Sequence, residues 1–267
     1  MHEGGAEILE ALVMFVFGSL VGSFLNVCML RLPKEESVVF PGSHCTGCLK
    51  PIAWFDNIPI LSFLILRARC RHCQSRISFQ YPLIEALTGV LFVVFYLTFG
   101  PTPRGLLYLY LTLGLLVQSV IDLRYKIIPD VITLPAIAVA LGVSIFYPEI
   151  HGQAGHLNGL LAAAKGILLG GGSLYLVGTV AEWVLKKEAM GGGDVKLLAA
   201  IGGVIGWRGV LWTIFVSSLS GAMVGIYLRI RKGEELIPFG PFLAFGAFLY
   251  LFIGPQVMVW YFNFLKP

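Results

Sequence analysis

Charged side chains are scarce in this chain. Of its 267 residues, 13% are Asp, Glu, Lys or Arg, while 57% are hydrophobic; a soluble globular domain carries about 25% charged residues. The deficit excludes an ordinary soluble fold, and a mean hydropathy of +0.83 agrees. Strict alternation of apolar and polar residues is also missing, which excludes a membrane β-barrel. A basic segment is missing at the N-terminus, where Glu3, Glu7 and Glu10 precede any Lys or Arg. That argues against a cleaved signal peptide and for a retained first transmembrane helix. What is present is a series of apolar runs, many long enough to cross a bilayer as a helix. The reading is an all-α polytopic membrane protein with about eight transmembrane helices and one small loop domain.

The apolar segments lie at 9–30, 82–99, 104–121, 131–147, 157–181, 195–206, 209–228 and 238–264. The sixth is short and glycine-rich, and the eighth is interrupted near Gly254-Pro255. Most basic residues fall in alternate loops. Arg31, Lys34, Lys50, Arg67, Arg69, Arg71 and Arg76 lie in the first, and Arg124 and Lys126 in the third. Lys186, Lys187 and Lys196 lie in the fifth, and Arg229, Arg231 and Lys232 in the seventh. The positive-inside rule makes these loops cytoplasmic and both termini extracytoplasmic. The expected organisation is a first transmembrane helix over 1–30, a cytoplasmic loop domain over 31–81 and a membrane-embedded region over 82–267. No internal repeat or low-complexity segment is apparent.

The loop at 31–81 is too small for a large core of its own and needs a staple. Cys45-Thr46-Gly47-Cys48 and Cys70-Arg71-His72-Cys73 supply one. Two CxxC turns aim four sulfurs at one point, the pattern of a four-thiolate zinc site. A reducing cytoplasmic setting favours zinc over disulfides, although disulfides and a redox role stay open. Four protein ligands leave no free coordination position, so the metal is structural. His44 and His72 read as exposed loop histidines, with substitution as metal ligands the alternative, and Cys28 as a small packing residue.

Acidic residues are few in or beside the apolar runs. Asp122 ends the third, Asp130 precedes the fourth, and Asp194 follows Gly191-Gly192-Gly193 before the sixth. By topology all three face the same side of the membrane. Two carboxylates sharing a site hold one proton between them, and such a pair hydrolyses peptides without a covalent intermediate. A serine route lacks a suitable base: none of His2, His44, His72, His151 and His156 falls in a cytoplasmic-edge helix. Asp130 suits a helix cap or first-turn position. A carboxylate at a helix C-terminus opposes the dipole, so Asp122 asks for a functional reason. Three glycines before Asp194 exceed what a cap needs. They offer an open backbone, with access to positive φ, against which an extended substrate could lie.

These residues resemble a known family. The resemblance covers Gly22-Ser23-Phe24-Leu25-Asn26-Val27 with Arg31-Leu32-Pro33, the cysteine tetrad enclosing Trp54-Phe55-Asp56-Asn57-Ile58-Pro59, and Tyr81-Pro82-Leu83-Ile84-Glu85. It continues through Ile121-Asp122, Ile128-Pro129-Asp130, Thr133-Leu134-Pro135, Gly191-Gly192-Gly193-Asp194 and Ile237-Pro238-Phe239-Gly240-Pro241. In this order they resemble the type IV prepilin peptidases, bifunctional leader peptidases and N-methyltransferases. The resemblance implies that Asp122 and Asp194 are the catalytic pair, with Asp130 outside it. It implies cleavage of a short basic leader from prepilins and pseudopilins, and methylation of the new N-terminal amine by S-adenosylmethionine. It places the enzyme in the bacterial inner membrane, surrounded by lipid, with its active site facing the cytoplasm and no nucleic-acid partner. Asn26 and Glu85 are candidate polar groups for the methyltransferase half; packing roles are the alternative for both.

Two other readings are carried forward. A proton-coupled transporter would use the aspartates as relays, but it should show an inverted repeat and polar residues at the membrane midplane. A zinc-stapled scaffold would have no use for the carboxylate pair.

Overall fold

The computed structural model describes residues 3–186, 190–232 and 237–264. His2 and Lys187, both named above, lie outside them. The described residues form helices and short turns with two isolated β-bridges and no extended strand. The chain divides into two compact units, Met1–Gly105 and Leu106–Pro267.

The first unit is built on α1 (Glu3–Arg31) and α3 (Gln80–Phe99). These pack almost backbone to backbone. A Cβ placed on Gly18 would lie 2.9 Å from the Gly89 Cα, and one on Gly22 would lie 2.8 Å from the Glu85 Cα. Apolar side chains give little driving force between helices in lipid, so small residues four apart substitute close van der Waals contact. The loop between the two helices holds the five-residue helix α2 (Leu61–Ile65) and turns at Leu32–Lys34 and Trp54–Asn57.

The second unit comprises α4 (Pro103–Tyr125), which enters it at Leu106, then α5 (Asp130–Phe146), α6 (His156–Leu185) and α7 (Gly192–Lys232). It closes with α8 (Gly240–Phe252) and α9 (Gly254–Phe264). Helices α6 and α7 also cross at glycine. A Cβ on Gly166 would lie 2.7 Å from the Gly202 carbonyl carbon, and one on Gly170 would lie 2.9 Å from that of Leu198. Leu197, Leu198, Ile201 and Val204 are buried around this crossing. The first half of α7, which carries Asp194, is thereby fixed.

Five described helices are long and apolar enough to span a membrane, or six if the bent pair α8–α9 counts as one span. The expected apolar segments all appear as helix, but their breaks differ in kind. Segments 195–206 and 209–228 run on as α7, interrupted only at Gly206, with φ 72° and ψ 177°. That conformation is open essentially to glycine alone. Segment 238–264 is two helices bent by 77° at the Gly254-Pro255 break. The segment expected over 131–147 appears as α5, also 17 residues long and at the lower limit for crossing a bilayer core.

Candidate active site and metal cluster

Asp122 lies in the last turn of α4, which closes at Lys126 in a left-handed conformation with its N–H donated to the Asp122 carbonyl at 2.9 Å. The Asp122 carboxylate is buried, and its Oδ2 accepts the backbone N–H of Gly240 at 3.0 Å. Gly240 is the first residue of α8, so the positive end of that helix offsets the negative end of α4. Room for this contact requires glycine: a Cβ there would lie 2.6 Å from Asp122 Oδ2. Gly240→Ala is therefore expected to displace the carboxylate and to slow leader cleavage about 10²-fold, the cost of a misplacement near 1 Å. Steady-state kinetics on protein with unchanged metal content checks this.

Asp194 sits in the first turn of α7, where a carboxylate is favoured by the dipole. Its Oδ1 is buried and has no hydrogen-bond partner among the described residues. A buried carboxylate oxygen without a partner is costly, and such groups normally bind water or ligand. Asp194 and Asp122 lie close enough to repel each other electrostatically. Ile128 wedges between their supports. A Cβ on Gly193 would meet Ile128 Cβ at 2.9 Å, and one on Gly240 would meet Ile128 Cδ1 at 3.3 Å.

The three glycines divide in role. Gly193 is needed for the close approach of Ile128, whereas a Cβ on Gly192 would meet nothing within 4 Å. Gly191 and Gly192 are exposed. None of the three adopts positive φ, so they serve closeness and openness rather than a left-handed turn.

Asp130 occupies the first turn of α5 without making a cap hydrogen bond. Instead Lys196 donates to both its oxygens, at 2.6 and 2.9 Å, tying the start of α5 to the start of α7. Both side chains are about half exposed, and such pairs are worth about 0–1 kcal/mol. Asp130→Asn is expected to change the cleavage rate by no more than about fivefold, the equivalent of that energy. An initial-rate comparison with the unaltered protein tests it.

In the first unit the four sulfurs of Cys45, Cys48, Cys70 and Cys73 lie within 4.8 Å of one another, and all four thiols are free. Cys45 and Cys73 Sγ are 3.7 Å apart. That matches the edge of a tetrahedron with metal–sulfur bonds of about 2.3 Å. The two cysteine turns share one backbone pattern. Cys45 N–H donates to the Lys50 carbonyl and Leu49 N–H to the Cys45 carbonyl; Cys70 N–H donates to Ser75 and Gln74 N–H to Cys70. Leu49 and Gln74 both have φ of 58°, and bridges His44–Pro51 and Arg69–Arg76 close the turns. Gly47 N–H donates to Cys45 Sγ at 3.3 Å and His72 N–H to Cys70 Sγ at 3.4 Å. The loop is thus a structural duplication. The sequence hides it because only the cysteine spacing is shared, while the pattern lives in backbone hydrogen bonds. Hydrogen bonds from the Ser75 hydroxyl and from the backbone at Cys48 and Gly47 hold the Cys45 thiol down at about 6, while burial and the neighbouring sulfurs push Cys48 up to about 11, so the cluster shares its protons unevenly. A bidentate pair from Arg71 to Asp56, at 2.6 and 2.7 Å, ties the second turn to the connecting segment and holds the Asp56 carboxyl below its usual range.

Asn26 and Glu85 are both buried and engaged internally. Asn26 donates to the Gly22 and Tyr81 carbonyls, and Glu85 accepts the Ile60 N–H at 2.7 Å. Both join the loop and helix ends of the first unit. Sequence reasoning assigned no role to Gly240 or Ile128. The signal for the first was the turn-and-helix-start pattern Pro238-Phe239-Gly240-Pro241; for Ile128 it was only its place in the motif Ile128-Pro129-Asp130.

Residues 16–99 match the bacterial peptidase A24 N-terminal domain, and residues 109–226 match the type IV leader peptidase family. A prepilin leader peptidase/N-methyltransferase of Aeromonas hydrophila is 36% identical over 95% of this chain and 94% of its own length. One of the same description from Pseudomonas aeruginosa is 36% identical over 95% of this chain and 93% of its own. One from Myxococcus xanthus is 39% identical over 85% of this chain and 65% of its own. No solved structure matches. With both halves matched in order, and relatives aligned nearly end to end, the chain belongs to the type IV leader peptidase family.

Proposed function

We propose that this protein removes the leader peptide from prepilins and pseudopilins and N-methylates the residue so exposed. The observation that carries the peptidase half is the pairing of Asp122, held by the Gly240 N–H, with Asp194, whose buried Oδ1 lacks a partner among the described residues. On this reading a water occupies the space at Asp194. The ionised carboxylate of the pair takes a proton from that water as its oxygen attacks the scissile carbonyl carbon. The protonated carboxylate gives its proton to the carbonyl oxygen. The tetrahedral intermediate then collapses, the C–N bond breaks, and a proton passes to the departing amine. Exposed Gly191 and Gly192 give an extended substrate backbone room beside Asp194.

The charge pattern supports a multi-pass protein of the bacterial inner membrane with the pair at the cytoplasmic face, where a basic leader would arrive. The apolar helix following the leader would lie in lipid, which brings the scissile bond to the membrane edge. On this division 1–30 is the first transmembrane helix, 31–81 the metal-binding loop associated with methylation, and 82–267 the peptidase region. Zinc is the metal that best suits four thiolates in a tetrahedral cluster. It fills a closed site and stabilises the loop. The methyltransferase half rests on the relatives' names; S-adenosylmethionine would supply an activated methyl group to the new amine. The helical, strand-free fold of the described residues has no strand–turn–helix cradle of the kind that holds nucleotide cofactors in soluble enzymes.

The test is incubation of purified protein with a prepilin carrying its leader and apolar helix, with and without S-adenosylmethionine. Mass spectrometry should find a shortened subunit in both samples and an added methyl group only with the donor. An uncut subunit in both would remove the proposal.

A further inference from the structure

The loop between α1 and α3 has a feature that neither the carboxylate pair nor the metal cluster uses. We infer that α2 is an interfacial membrane element, with Leu61, Leu64 and Ile65 in the lipid and Arg67 and Arg69 at anionic headgroups.

The first ground is depth. Helix α3 has 20 residues and begins at Gln80, which at 1.5 Å per residue spans the whole hydrocarbon core of about 30 Å. Glu85 lies five residues inside that helix, about 7.5 Å below its start. Its carboxylate accepts the N–H of Ile60 at 2.7 Å, and Ile60 immediately precedes α2. The loop therefore reaches down beside the second turn of a membrane-spanning helix. Phe63 of α2 also packs edge-on against Phe79, the residue just before α3, with ring centroids 6.1 Å apart.

The second ground is the surface presented there. Leu61, Leu64 and Ile65 are 55%, 64% and 73% exposed, so the described residues leave most of this apolar cluster uncovered. Water would penalise such a cluster, while the bilayer edge would not. The third ground is how α2 is built. Ile60 is held at φ 62° and ψ −51°, a strained conformation for a β-branched residue. At the other end Arg67 and Ala68 take φ of 51° and 59°, and their N–H groups donate to Leu64 and Phe63. This Schellman-type stop turns the chain sharply away, and Arg67 and Arg69 follow it, both exposed. Basic residues directly beside an apolar face are what an anionic lipid surface attracts. The inference depends on α3 spanning the membrane and is independent of the catalytic reading.

The test uses the full chain in nanodiscs of phosphatidylglycerol, with lipids carrying a photoactivated crosslinker in their acyl chains. Labelling of residues 61–65 should equal that of the exposed α3 residues Leu83 and Leu87, and should exceed that of the Glu35–Glu36 turn severalfold. Hydroxyl-radical oxidation of Leu61, Leu64 and Ile65 should stay at the level of Leu83. Lipid labelling of 61–65 no higher than at Glu35–Glu36 overturns the inference, whether water or another part of the protein covers the face. Arg67→Gln with Arg69→Gln should reduce the labelling in phosphatidylglycerol and leave it unchanged in phosphatidylcholine. An equal effect in both lipids overturns the headgroup contact.

Discussion

Asp122→Asn and Asp194→Asn should each reduce leader cleavage by about 10³-fold or more, the usual contribution of a positioned general acid or base. An amide neither takes a proton from water nor gives one to a carbonyl oxygen. In the Asp122→Asn variant the amide oxygen would still accept the Gly240 N–H, so the helix ends keep their packing. Asp194→Asn would place an amide where the unpartnered Oδ1 now lies, and this alters the site least of the available changes. The two losses should not add. Residues that act as one unit lose nearly everything at the first substitution, so the double variant should be about as slow as either single one. Single-turnover assays with excess enzyme check this, because they separate chemistry from substrate binding and product release.

Removal of the metal should have the second largest effect, and it should fall on the other unit. Structural zinc contributes apparent binding energies of about 10–16 kcal/mol in small metal-dependent folds. The loop has few alternatives. Its turns are held by backbone hydrogen bonds to and around the cysteines, and its other ties are a handful of side-chain contacts, among them the Arg71–Asp56 pair, the Glu85–Ile60 contact and the hydrogen bonds of Arg31 to the Ser37 and Gly42 carbonyls. Cys45→Ser or Cys70→Ser should therefore abolish stoichiometric metal and make the loop open to limited proteolysis. Methyl incorporation should fall with the loop, while peptide cleavage, which the proposed mechanism assigns to the Leu106–Pro267 unit, should fall much less. Elemental analysis with parallel cleavage and methylation assays reads all three. Disulfides in place of metal would instead leave the loop insensitive to chelators and sensitive to thiols.

The sequence made the helices and the two special sites legible for different reasons. Apolar runs mark spans because lipid offers no partner to backbone groups. The cysteine spacing marks a cluster because tetrahedral geometry tolerates few alternatives. The carboxylate pair stood out because ionisable groups at a membrane edge are costly. Three features were not legible. Gly206 looks like any other glycine of the Gly202–Gly209 region until its φ is known. The hold of Gly240 on Asp122 spans 118 residues and leaves no periodic trace. The shared geometry of the two cysteine turns is a property of main-chain hydrogen bonds, to which sequence comparison is blind. The glycines before Asp194 invited a left-handed backbone, and the fold uses their lack of bulk instead.

The central claim is that Asp122 and Asp194 carry peptide hydrolysis and nothing else. It is tested most directly by giving each asparagine variant two substrates, an intact prepilin and a subunit already cut at the leader. Cleavage of the first should disappear while methylation of the second continues at the rate of the unaltered protein. Cleavage within threefold of the unaltered rate, a loss of under about 1 kcal/mol, in either variant would contradict the account. So would the joint loss of both activities in a variant that keeps its metal and its fold.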